Sequence, residues 1–167
     1  MSVRRFVPDD WQLYRALRLA ALKDEPDAFL ATYAEALEYP DSEWQTRLNV
    51  AKNATDFPMC AEWKREPAGL AWARINGDKP AIASLFSVWI APDYRRRGLA
   101  QAILDAAENW AVAQGATELQ LEVTCGNVAA ESLYRSAGFV DLGEATLRRG
   151  TQLFEQLMVK YLSSHGN

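Results

Sequence analysis

The segment Arg95-Arg96-Arg97-Gly98-Leu99-Ala100 places three cations and a glycine just ahead of an amphipathic stretch. A helix amino terminus carries unpaired amides and partial positive charge, so arginines there cost an isolated helix roughly a few tenths of a kcal/mol each. An anion resting on the turn would offset that cost: amides and guanidinium groups hold a phosphate together, and glycine lets it approach the main chain closely. The alternative is a solvated basic corner paired with acids such as Asp93 and Glu131. No Gly-Lys-Ser/Thr follows, which excludes a Walker loop, and one glycine cannot supply the three of a dinucleotide fingerprint. Other chemistry finds few carriers. The single histidine, His165, stands in a polar tail, so neither Cys60 nor Cys125 has a partner for thiol catalysis. No His, Cys and carboxylate cluster has metal-ligand spacing, and the two cysteines read as small buried hydrophobes.

The elements around the turn must hold it still. Val3 to Val7 reads as a strand; Pro8-Asp9-Asp10 then opens a helix with Trp11, Tyr14, Leu17 or Leu19, and Leu22 at helical spacing, ending near Lys23 to Pro26. Phe29 to Tyr33 fits a helix or an ordered loop equally well. A second helix begins at Pro40-Asp41-Ser42-Glu43, with Trp44 and Leu48 on one face. Phe57 to Trp63 and Ala68 to Ile75 read as a hairpin, and Ala81 to Ile90 as a strand buried on both faces. Behind the arginines, Leu99, Ile103, Ala106, Ala107 and Trp110 form a helical stripe that Gly115 ends. Glu118 to Thr124 alternates as a strand, Asn127 to Ser136 returns to helical spacing, and Gln152 to Tyr161 reads as the last strand. Strand, helix, strand, helix implies a parallel pair, with the arginine turn at the carboxyl end of a strand, where open sheets bind ligands.

Length and composition set the frame. A chain of 167 residues, 49% hydrophobic and 24% charged, has the balance of an ordinary globular domain: one domain over 1–162 and a frayed tail at 163–167. The apolar stretches fall well short of the ~20 residues that cross a bilayer, and the amino terminus lacks a secretory pattern. Two cysteines and no disulfide framework suit a reducing cytoplasm. A net charge of −4 argues against nucleic acid as a partner, so a basic site must be local.

Arg95, Gly98 and Ala100 match, position by position, the coenzyme motif Gln/Arg-x-x-Gly-x-Gly/Ala of the Gcn5-related N-acetyltransferases. Asn127, Ala130, Leu133, Tyr134 and Gly138-Phe139 match the second motif of that family, in order and at similar separation. The chain thus resembles this family most sharply from Ser84 to Val140. The resemblance implies an α+β fold: a mixed, mostly antiparallel sheet of six to seven strands, about four flanking helices, and a splayed central parallel pair. It implies acetyl-coenzyme A as cosubstrate and no metal. The main chain of Val88, Trp89 and Ile90 would pair with the pantetheine arm. The amides from Arg96 to Ala100, through Arg97, Gly98 and Leu99, would hold the pyrophosphate, with the side chains of Arg95, Arg96 and Arg97 available to the phosphates. Asn127 and Ala130 would complete the coenzyme site.

In the same resemblance Tyr134 occupies the place of the general acid, and Glu122 looks like the base of some ribosomal-protein N-terminal acetyltransferases. The family often carries a glutamate in its fourth strand instead, where this chain has Phe86, Ser87 and Val88; a water relay is the other route for the proton. Phe29 and Tyr33 fall in the region that lines the acceptor site. The expected activity is acetyl transfer directly to a primary amine of a small molecule, peptide or protein. A non-catalytic acyl-coenzyme A sensor is the alternative, and a nucleic-acid binder using the arginines is the weakest reading. The acidic balance leans toward a cationic acceptor, and the final strand, if exposed, could pair across a homodimer.

Overall fold

A computed structural model describes residues 1–50 and 54–163. Apart from Ser163, the expected frayed tail lies outside the described residues, as does His165. Eight strands form one sheet: β1 (Ser2–Arg5), β2 (Asp56–Trp63), β3 (Glu66–Ile75), β4 (Ile82–Ile90), β5 (Glu118–Thr124), β6 (Val140–Asp141), β7 (Thr146–Leu147) and β8 (Phe154–Tyr161). Their order is β1-β2-β3-β4-β5-β8-β6, with β7 also on β8. Every pairing is antiparallel except β4 with β5. Among the described residues five α-helices cover the sheet: α1 (Trp11–Asp24), α2 (Tyr33–Leu37), α3 (Asp41–Val50), α4 (Leu99–Ala113) and α5 (Val128–Ser136). The mixed, mostly antiparallel architecture is the expected one. The sheet gains two two-residue strands, β6 and β7, and the helices gain α2.

Strand alternation sorts the core into two layers. Met59, Ala61, Ala71 and Ala73 face α4, whose Leu99, Ile103, Ala107 and Ala111 pack on them. Cys60, Leu70 and Trp72 face α1 to α3, against Tyr14, Leu22, Trp44 and Leu48. Alanines on the α4 side let that helix lie close to the sheet, whereas tryptophan and tyrosine fill the opposite layer. Trp72 meets Tyr14 edge-on, with ring centroids 5.8 Å apart.

The stretch Phe29 to Tyr33, ambiguous in sequence, is irregular chain running into α2. Thr32 Oγ1 accepts from the Glu35 amide at 3.1 Å and Glu35 Oε2 accepts from the Thr32 amide at 3.2 Å, a capping box that starts the helix at Tyr33. The last strand begins at Phe154, two residues later than expected, because Arg148 to Leu153 close a turn first. Nor is that strand an open edge. β6 and β7 run along its outer side, so the anticipated route to a homodimer through β8 is covered.

Two features shape the centre of the sheet. Gly69 lies opposite Ile90. A β-carbon there would stand 2.4 Å from the Trp89 carbonyl oxygen and 2.7 Å from Ile90 Cδ1, so only glycine permits this approach of β3 to β4. Gly69→Ala is expected to destabilise the fold by about 1–3 kcal/mol, read as a lower melting temperature; an unchanged value would contradict the close packing. The second feature is a bulge in β4. Leu70 pairs with Trp89 and Trp72 with Phe86, so β4 spends one residue more than β3 over this span. Ser87 absorbs the excess at φ 58°.

Candidate active site

β4 and β5 pair only from Ile82–Glu118 to Ser84–Gln120. Past that point the bulge bends β4 away, and the main chain from Phe86 to Ile90 no longer meets β5. A cleft of about 920 Å³ occupies the gap and passes through the sheet. Toward α1 to α3 it is bounded by Tyr14, Arg18, Phe29, Trp72 and Phe86; toward α4 and α5, by Ala100, Asn127, Ala130, Leu133 and Tyr134. A second cavity of about 220 Å³ abuts it at the start of α4, between Tyr94, Arg96, Gly98, Leu99 and Gln101. Ile90, Arg95, Ala100 and Leu133 wall both.

The arginine turn is built from left-handed backbone. Arg96 has φ 61° and Gly98, at the helix N-cap, φ 84°. Alternation of this kind turns successive amides inward, forming a concave nest for an anion. Among the described residues, no acceptor meets the amides from Arg96 to Ala100. The three side chains have different occupations. Arg95 turns back into the protein: Nε donates to the Ile90 carbonyl at 2.9 Å, and the guanidinium pairs with Asp24 at 2.5 Å and Glu25 at 3.3 Å. Asp24 also accepts from Trp89 Nε1 at 3.0 Å, and these donors hold its carboxyl below the usual range. Arg95 thus ties the end of α1 to the end of β4, where sequence suggested a side chain available to phosphate. Arg97 stacks over Trp63 at 5.0 Å and lines neither cavity. Arg96 makes no ion pair among the described residues and borders the smaller cavity. Of the acids proposed as partners for a mere basic corner, Asp93 offers Arg97 only its carbonyl, at 3.5 Å, and Glu131 accepts from the Gly126 amide.

Asn127 caps α5, its side-chain oxygen accepting from the Ala130 amide at 3.3 Å while its other face borders the cleft. Sequence reasoning assigned it only to a ligand. Tyr134 is 8% exposed, meets Phe139 edge-on and opens on the cleft. Burial, with a smaller contribution from the Glu25 charge, pushes its phenol up to about 12, so it keeps its proton at neutral pH.

Glu122 faces the cleft from β5. It meets Glu155 of β8 on the same face, two pairs along the ladder, since Glu122 lies opposite Leu157 and Thr124 opposite Glu155. Arg148 forms an ion pair with Glu155, donates to Thr124 Oγ1 at 3.0 Å and to the Asp27 carbonyl. The hydrogen bond with Glu122, helped by the Arg148 guanidinium, holds Glu155 below its ordinary value; the same hydrogen bond, then burial and the Glu155 charge, push Glu122 up to about 7. One of two adjacent carboxyls thus titrates near neutrality. Glu155 and Arg148 were missed in sequence, because the contact depends on the register of β8 and on a turn 24 residues from Thr124.

Phe29 lines the cleft but Tyr33 does not. As the first residue of α2, Tyr33 packs under the Lys23 ammonium at 5.9 Å, away from the opening. Cys60 is buried, which pushes its thiol up to about 11, whereas Cys125, expected to be buried, is exposed in the turn before α5. Among the described residues no group of three or more His, Cys, Asp or Glu could hold a metal ion, and no helix is long and apolar enough to cross a membrane.

The 28% identity of this chain with the mycothiol acetyltransferase of Renibacterium salmoninarum extends over 143 residues, covering 83% of this chain but 40% of that protein. The chain therefore spans less than half the length of that relative. With the [ribosomal protein bS18]-alanine N-acetyltransferase of Escherichia coli the identity is 43% over 111 residues, 66% of this chain and 70% of the other. YncA of Salmonella typhimurium, solved with its cofactor acetyl-CoA, superposes with a TM-score of 0.79 at 16% identity, covering 100% of this chain and 96% of that one, a likeness of fold. The model of the acetyltransferase (GNAT) family matches residues 14–139, taking in the splayed strands, the arginine turn and both motif helices. By that match and by the fold that carries it, the chain belongs to the GNAT family of acetyltransferases.

Proposed function

We propose that this protein transfers the acetyl group of acetyl-coenzyme A directly to a primary amine. The observation that carries the reading is the junction of the two cavities: an amide nest at the start of α4 opens straight into a split sheet where β4, still paired with β3, has lost its pairing with β5. The nest, with Arg96, suits a pyrophosphate. The edge of β4 that no longer meets β5, over Val88, Trp89 and Ile90, suits an amide-rich pantetheine arm, although the Ile90 carbonyl is already taken by Arg95 Nε. Asn127, Ala130 and Leu133 close the far side. Arg95 holds the two strand and helix ends that frame the site, and Leu99 anchors α4 beneath it.

Acetyl transfer requires a proton removed from the amine and one supplied to the leaving thiolate. Glu122, titrating near 7, is suited to accept the first, and Tyr134, protonated throughout the physiological range, to donate the second. Attack of the amine nitrogen on the thioester carbonyl forms the amide C–N bond as the C–S bond breaks. The amine proton passes to Glu122 and the phenolic proton to sulfur.

Coenzyme A at about 100 times its Kd should stabilise the protein by about 2.7 kcal/mol, a rise in melting temperature of roughly 5–10 °C. Arg96→Glu and Gly98→Glu should each lose that rise, the first by setting a carboxylate against phosphate and the second by straining a left-handed position as well. No rise in the parent protein would sink the coenzyme assignment. Release of free thiol from acetyl-coenzyme A across a panel of amines separates an enzyme from a sensor: a sensor would be stabilised but silent.

A further inference from the structure

The acceptor side of the cleft is lined by cations. Arg18, Arg47 and Arg74 all border it, above a floor that includes Tyr14, Trp72 and Phe86. Two of the three have carboxylate partners. Arg74 pairs with Asp56 at 2.7 Å, and Arg47 with Glu43 at 3.3 Å. Arg18 has none among the described residues. Its guanidinium lies over the Phe29 ring at 4.6 Å and donates to Ser87 Oγ at 3.3 Å, the hydroxyl of the bulge residue. Burial makes its charged form less favourable than in water, and the groups that act on it electrostatically, Tyr14, Arg47 and Tyr39, include no carboxylate. A half-buried arginine held by one neutral hydroxyl and one ring, facing a cavity, has unused donors in a fork that matches a carboxylate.

We propose that the acceptor is an amine that also carries a carboxylate, which Arg18 receives while the adjoining aromatic floor takes an apolar body. This rests on the transferase reading above and names the class of its substrate. Net charge pointed the other way, toward a cationic acceptor; the local lining decides because a charge on the far side of the molecule is screened beyond about 10 Å whereas the cleft is not open water. Arg18 also fixes direction. Its partner Ser87 borders the strand segment assigned to the pantetheine, so a carboxylate at Arg18 would hold the acceptor on the α1 side of the sheet opening, with Glu122 across from it on β5.

The test sets free L-amino acids against their carboxamides, with aspartyl and glutamyl amides included to separate a side-chain carboxylate from the α-carboxylate. With the full chain and acetyl-coenzyme A, the carboxylate acceptors should show kcat/KM about 10- to 100-fold above the matching amides. Arg18→Gln should abolish the preference and Arg18→Lys retain part of it. A second measurement needs no turnover: N-acetyl amino acids, not their amides, should raise the melting temperature of the parent bound to coenzyme A and fail to do so in Arg18→Gln. Stabilisation of each variant by coenzyme A alone certifies its fold. Amides accepted as well as acids, a preference that survives Arg18→Gln, or no response to any carboxylate in either measurement overturns the inference. Carboxylate binding without thiol release from any amine would instead overturn the transferase reading and leave anion recognition standing.

Discussion

Tyr134→Phe is expected to lower turnover by about 10²- to 10⁴-fold while leaving stabilisation by coenzyme A within a degree or so of the parent. The asymmetry follows from the surroundings of the residue. Its ring packs on Phe139 and is almost wholly buried, so phenylalanine keeps the packing. The hydroxyl makes no side-chain hydrogen bond among the described residues, so its removal strands no buried partner. What is lost is a protonated donor aimed at the cleft. Since the phenol is pushed up to about 12, it can donate without first being ionised, and the parent should show no loss of rate from phenolate formation below pH 10. Steady-state kinetics and a coenzyme A melting series on one variant decide the matter. Full activity in Tyr134→Phe would remove it as the acid.

Glu122→Gln should lower turnover by a comparable factor, and it carries a second signature in pH. A glutamate pushed up to about 7 holds its proton below that pH and cannot accept another; above it the carboxylate is free. The rate should therefore rise with pH and level off above about 7. The ammonium of the acceptor titrates too, so the parent profile alone does not isolate Glu122. Glu155→Gln does. It replaces the carboxylate whose hydrogen bond and charge raise Glu122, and the rising limb should move toward lower pH with the same acceptor, whose own titration is unchanged. A limb that stays in place in Glu155→Gln assigns the proton to a water relay or to the amine itself.

The parts of the site that sequence disclosed are those whose signal is local. The arginine turn, the Asn127 helix and Tyr134 lie inside short spans where motif, helix start and strand end coincide. Other parts depend on pairs far apart in the chain. Nothing near Arg95 shows that Asp24 and Glu25, about 70 residues earlier, will claim its guanidinium. Glu122 can be singled out from its strand, but its raised proton affinity comes from Glu155 and from burial, and only the register of β8 brings Glu155 near. Tyr33 shows the opposite failure. The family resemblance put this region on the wall of the cleft, yet the Thr32 and Glu35 capping box, legible as Thr-x-x-Glu, starts a helix there and turns the ring toward Lys23. The covered edge of β8 was beyond reach for a simpler reason: two-residue strands have no periodicity to read.

The bulge at Ser87 has a consequence for the phase of β4. Before it, the odd-numbered Ala83 and Leu85 pack toward α4; after it, the even-numbered Val88 and Ile90 do. The same inversion sets Phe86 and Trp89, three residues apart, on one face, with Phe86 stacked on Trp72 and Trp89 reaching Asp24. A strand of unbroken parity would send either the Trp89 indole or the Phe86 ring into the α4 layer, where alanines leave no room. One inserted residue thus lets a single strand serve two differently sized cores, and the opening beside β5 comes with it.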